Sequence, residues 1–169
     1  MIVVVEPGVA IKWFVEEPLR PQARSLLVNG HELIAPDILI AGVAELAWKK
    51  TIAGEIAPDQ AEPIVRCIAL PSFISAFVES ARLRNRALAL ALQCGRPVHE
   101  CFYAACAEAA FAPLVSSDET FLQALRCEGI AVRGIPLARI HELEHFTSPT
   151  RVGGVSASYA DGGVETHES

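Results

Sequence analysis

The chain has 169 residues, with 51% apolar and 20% charged side chains, the proportions of one globular domain rather than a disordered polymer. Its 14 Lys and Arg face 20 Asp and Glu, a net charge of −6, which argues against the broadly basic surface of a dedicated nucleic-acid binder. No run of about 18 uncharged apolar residues occurs, so no membrane span is expected. No basic segment precedes an apolar one at the start either, which argues against secretion.

The five cysteines, 67, 94, 101, 106 and 127, are odd in number and form no Cys-x-x-Cys pair. They read as small core residues in a reducing cytoplasm, not as a disulfide framework or a zinc ribbon.

In chain order, Ile2–Val5 is a β-branched run that reads as a buried strand, broken by Glu6-Pro7-Gly8. Helical spacing covers Val9 to Glu16, and a second short helix is expected over Gln22 to Val28, ended by Asn29-Gly30. His31 to Ala35 reads as a strand. Ile38 to Ile52 is a long apolar-rich helix, and Pro58 opens another to about Leu70. Phe73 to Val78 is β-prone, Ala81 to Leu92 is a strong helix, and Cys94-Gly95-Arg96-Pro97 stops it. His99 to Ala110 is Ala-rich and helical. Pro113 to Ser116 reads as a buried strand, Glu119 to Leu125 as a helix, and Ile130 to Val132 as a last strand. Strands alternating with helices predict an α/β fold of three layers, with a mostly parallel central sheet flanked by helices. Trp13, Phe14, Trp48 and Tyr103 are expected in the core, and Lys12 at the surface. From Thr147 onward Gly, Ser and polar residues dominate, so residues 139–169 read as a C-terminal extension, flexible from about 147, behind a domain of residues 1–138.

In open α/β sheets ligands bind beyond the carboxyl ends of the strands. Glu6 follows the first strand, Asp118 follows the strand ending at Ser116, and Glu100 opens a helix after a turn. Three carboxylates converging at one sheet edge repel one another unless a cation lies between them. Oxygen ligands of this kind suit Mg²⁺ or Mn²⁺, ions that activate water against phosphodiesters.

Four blocks then resemble the PIN domains of VapC-type toxins. They are Ile2 to Phe14, with its apolar-Ala-apolar-Lys-Trp-Phe helix; Leu33-Ile34-Ala35-Pro36-Asp37 with Glu45 to Lys50; His99 to Ala107; and Leu114 to Leu122. They come in the family's order and span roughly residues 1–138. The resemblance implies a PIN-like fold and a metal-dependent endoribonuclease of the toxin–antitoxin type, hydrolysing RNA phosphodiesters with Mg²⁺ or Mn²⁺. An RNA substrate, a cognate antitoxin, a homodimer and a cytoplasmic location follow from the same likeness.

Residue by residue, the family's first Asp is Glu6 here, and its helix Glu falls on Gly42. Its Asn one turn later falls on Glu45, its third acid is Glu100, and its fourth is Asp118. The implied catalytic residues are Glu6, Glu100 and Asp118, with Glu45 added as a metal ligand that reaches for the position vacated at Gly42. Ser116 matches a supporting hydroxyl. Lys49, Lys50, Arg82, Arg84 and Arg86 are the candidate RNA-backbone contacts. Two acids are a methylene longer than the family's, and active sites tolerate about 0.5 Å of error. The alternative is therefore a degenerate, catalytically inactive PIN domain acting as a binding or dimerisation module.

Overall fold

A computed structural model describes residues 1–144. Five strands form one all-parallel sheet: β1 (Ile2–Val5), β2 (Glu32–Pro36), β3 (Ala76–Val78), β4 (Leu114–Ser116) and β5 (Gly134–Pro136), in the spatial order β3-β2-β1-β4-β5. Strands buried on both faces read as continuous apolar runs rather than alternating ones. Val3, Val4 and Val5 are fully buried, and so are Leu114, Val115 and the lone buried polar residue Ser116 among the described residues. Val4 pairs in register with Ile34 on one side and Leu114 on the other, which makes β1 the centre of the sheet.

The connections carry α1 (Pro7–Ala10), a 3₁₀ turn (Ile11–Trp13), α2 (Arg20–Val28), α3 (Leu39–Ile52), α4 (Pro58–Ile68), α5 (Ser80–Cys94), α6 (Val98–Ala110) and α7 (Glu119–Cys127). The path β1→β2→β3 crosses the sheet one way, and β4→β5 continues on the opposite side of β1. Right-handed crossovers then place α1–α4 and α5–α7 on opposite faces, giving three layers. The reversal of direction beside β1 leaves a crevice between the carboxyl ends of β1 and β4, the place where doubly wound sheets bind ligands.

Three expectations are corrected. The last strand is Gly134–Pro136, not Ile130–Val132. Ile130 and Val132 are buried inside a turn, where the Val132 N–H donates to the Ile130 carbonyl at 2.8 Å. An apolar run marks burial, and here burial comes without strand pairing. Pro136, which has no N–H to give, sits on an edge strand, where that costs little. Trp48 is 56% exposed, because α3 turns Leu39, Val43 and Ala47 inward at helical spacing and leaves Trp48 outside that stripe. Lys12 is largely covered rather than exposed, because it ion-pairs with Glu17 at 2.7 Å.

A 3₁₀ helix (Leu137–Leu143) follows β5 and buries Leu137 and Leu143 in the core. Packed chain therefore continues past residue 138. The stretch expected to be flexible from about residue 147 lies outside the described residues.

Candidate functional site

The crevice beyond β1 and β4 is a cavity of 250 Å³, lined among others by Glu6, Glu45, Glu100, Tyr103 and Asp118. Each acid is placed by its local structure. Glu6 is the residue between β1 and α1, and its backbone carbonyl accepts the Val9 and Ala10 N–H groups as α1 starts. Glu100 lies in the first turn of α6, where a carboxylate meets the positive end of the helix dipole. Asp118 is the N-cap of α7, and its Oδ1 accepts the Phe121 N–H at 2.9 Å and the Thr120 hydroxyl at 2.5 Å. The buried Ser116 hydroxyl accepts the Asp118 N–H at 2.9 Å, so it orients the cap from the strand end.

Sequence reasoning brought Glu6, Glu100 and Asp118 to one cleft, and the structure places all three there. It missed what lies between two of them. Arg96, in the turn between α5 and α6, donates from Nε to Glu100 Oε2 at 2.8 Å and from Nη2 to Asp118 Oδ2 at 2.6 Å. Its guanidinium also stacks over the Phe121 ring at 5.9 Å and donates to Thr120 Oγ1 at 3.3 Å. A planar fork matched to carboxylates makes this a strong charge-assisted bridge. Burial works against the charge of Arg96, but Glu100 and Asp118 outweigh it and hold the guanidinium above its ordinary range. Partial burial likewise works against the Asp118 carboxylate. The bonds from Thr120 and Phe121, with the Arg96 charge, prevail and draw its pKa below the usual carboxylate value. A signal was present: Arg96 precedes Glu100 by four residues, the spacing of helical ion pairs.

The other acids are committed elsewhere. Glu6 Oε1 accepts the Ser117 N–H at 2.8 Å and the Ser117 hydroxyl at 2.7 Å, which ties the ends of β1 and β4 together. Glu45 pairs with Lys49 at 3.1 Å on the exposed side of α3. Gly42 explains why no acid reaches in from that position of the helix. A Cβ built there would lie 2.5 Å from Pro7 Cγ and 3.6 Å from the Tyr103 hydroxyl. Pro7 thus occupies the space that a side chain at 42 would need, and α1 sits directly against α3. Tyr103, buried at the cavity wall, is kept protonated by burial, with the nearby Glu6 charge acting in the same direction.

The donor chemistry of these carboxylates suits a hard cation. Among the described residues no group of three or more His, Cys, Asp or Glu is placed to hold a metal ion together. Of the expected set, Glu6 bonds Ser117 through Oε1, Glu45 pairs with Lys49, and Arg96 bonds Glu100 and Asp118.

The expected backbone contacts are mostly paired as well. Lys50 ion-pairs with Glu17 and with Glu55, the latter at 2.8 Å, beside a separate cavity of 470 Å³. Arg86 makes a two-pronged contact with Glu108 at 2.6 and 2.7 Å, which raises its pKa through that bond. Arg84 folds onto the Ala81 carbonyl. Arg82 is exposed on α5.

No family model matches the chain, and no curated protein does. Its fold is similar to the crystal structure of PAE2754 from Pyrobaculum aerophilum, with a TM-score of 0.61 and 17% identity over 84% of this chain and 90% of that one. At that identity the likeness establishes the α/β fold alone. No helix among the described residues is long and apolar enough to cross a membrane.

Proposed function

We propose that this chain is a PIN-like domain of the toxin–antitoxin type whose acidic cleft is bridged from within by its own arginine, so that it serves as a binding module rather than as a working nuclease. The observation that carries this reading is the Arg96 bridge between Glu100 and Asp118. A guanidinium in that place meets the electrostatic demand of two adjacent carboxylates. An entering divalent ion would have to expel it. The contact of Gly42 with Pro7 supports the same reading, since it excludes an acid at position 42.

The partner in this reading is a protein: a cognate antitoxin or a second copy of the chain. Trp48 and Ile52, 56% and 73% exposed one turn apart on α3, offer it an apolar face. The five free thiols accord with a cytoplasmic setting.

One observation favours the second reading, a metal-dependent endoribonuclease. Glu6, Glu100 and Asp118 share one cleft at the reversal point of the sheet. Calorimetric titration of Mn²⁺ into wild type and Asp118→Ala separates the two. The binding-module reading expects no heat at millimolar Mn²⁺ and no RNA cleavage that EDTA abolishes. Micromolar binding that disappears in Asp118→Ala would overturn it in favour of the nuclease.

A further inference from the structure

We propose that Cys94 and Cys101 form a reversible disulfide that locks the turn carrying Arg96. The pair stands on its own geometry, and only its effect on the cleft rests on the reading given above. Cys94 is the last residue of α5 and Cys101 lies in the first turn of α6, with their sulfurs 3.8 Å apart. A disulfide needs a separation of about 2.05 Å, so the sulfurs must close by less than about 2 Å. The helices are joined by three residues only, Gly95-Arg96-Pro97, and Gly95 takes the left-handed conformation (φ +66°) that turns the chain back. The Cys101 thiol also faces the Arg96 carbonyl at 4.0 Å. A bond between the sulfurs would close a small ring around that turn.

Access sets the order of events. Cys94 is half-buried and Cys101 fully buried, so an oxidant meets Cys94 first. Cys101, enclosed by the packed helices and 3.8 Å from Cys94, is then the second sulfur to react. The oxidant class is a hydroperoxide. The Cys94 thiolate attacks its terminal oxygen and the O–O bond breaks. With hydrogen peroxide this gives one water and a sulfenic acid at Cys94. The Cys101 sulfur then displaces that hydroxyl, forming the S–S bond and releasing a second water. Two thiols lose two electrons and one peroxide gains them. A dithiol reverses the step by exchange. Oxidation fixes the turn in the conformation in which Arg96 spans Glu100 and Asp118, and so holds the cleft closed more firmly.

The test uses the full chain, treated with stoichiometric hydrogen peroxide, alkylated, digested and mapped by mass spectrometry. The expected result is a peptide linked through Cys94 and Cys101, reversed by dithiothreitol, absent in Cys94→Ser and retained in Cys127→Ser. The oxidised protein should melt about 5 °C higher, as expected for a small closed loop in a domain of this size. Cys94 advancing to sulfinic acid beside a reduced Cys101, or a link to Cys67 or Cys127 instead, would overturn the pairing. A correct link without a rise in melting temperature would overturn the lock. Should Cys94→Ser fail to fold, the wild-type peptide map still decides. Mn²⁺ titration of the reduced protein tests the proposed function separately, so either idea can fail while the other stands.

Discussion

Two charge clusters of opposite design lie in this molecule. In the cleft, one cation, Arg96, sits between two carboxylates, Glu100 and Asp118. Beside the larger cavity, one carboxylate, Glu17, sits between two cations, Lys12 and Lys50. The Glu17 cluster is well covered, with the two lysine side chains 14% and 13% exposed, and Glu55 brings it to neutrality. It ties the residues after the first 3₁₀ turn to the end of α3. The cleft is more open, and its acids outnumber its bases: Glu6, Glu45, Glu100 and Asp118 against Lys49 and Arg96. A balanced, buried cluster holds the fold together. An unbalanced, open one at the reversal point of the sheet is the candidate site, even when its own arginine partly fills it.

The contrast can be broken most forcefully at Glu17. Glu17→Ala leaves Lys12 and Lys50 covered without their shared partner and should cost about 3 kcal/mol in denaturant unfolding. A loss under about 1 kcal/mol would mean the cluster is not a structural tie. Next is the close approach that shapes the cleft. Gly42→Ala drives a Cβ into the Pro7 ring and should cost about 2 kcal/mol. Pro7→Ala in the same chain should recover most of it, and additive losses would show that the two positions are not coupled.

The cleft pairs should matter less to stability. Arg96→Gln should cost about 1 kcal/mol at neutral pH, because solvent screens these partly exposed groups. Its pH dependence is more telling. The folded-state pKa of Asp118 is depressed, so its stabilisation is present above the unfolded value of about 3.9 and is lost as pH falls through the folded value. Wild type should therefore lose its advantage over Asp118→Asn as the pH drops below about 4. An advantage that holds unchanged down to pH 2 would place the favourable charge elsewhere. The smallest effect is expected for Ser117→Ala, which removes one hydroxyl from Glu6 while leaving the backbone donor, and should cost about 0.5–1 kcal/mol.

Most of the fold was readable because periodicity and punctuation agreed. Val3-Val4-Val5, Leu33-Ile34 and Leu114-Val115 are strands in which burial and pairing coincide. Asn29-Gly30 and Cys94-Gly95 end helices where the text changes character. Ile130–Val132 failed because an apolar run reports burial and not which backbone groups pair. Trp48 failed because an apolar helix does not say which stripe faces in. In the cleft, the positions of Glu6, Glu100 and Asp118 followed from strand ends and helix starts. Where their oxygens point did not follow. That depends on Ser117 for Glu6, on Arg96 for Glu100 and Asp118, and on the ring of Pro7 for the empty place at Gly42. Each is a contact between side chains far apart in sequence or across a turn, which spacing alone does not encode.

The central place of β1 also sets a schedule for synthesis. Its first neighbour, β2, ends at Pro36, but its second, β4, begins only at Leu114. At about 5–20 residues per second, the second edge of Ile2–Val5 has no partner for on the order of ten seconds while the intervening chain is made. Val3, Val4 and Val5 of that strand are fully buried in the folded chain, and an unpaired strand edge between apolar side chains is a template for other chains. Slow translation between residues 36 and 114 should raise the aggregated fraction, whereas slow translation after residue 116 should leave it unchanged.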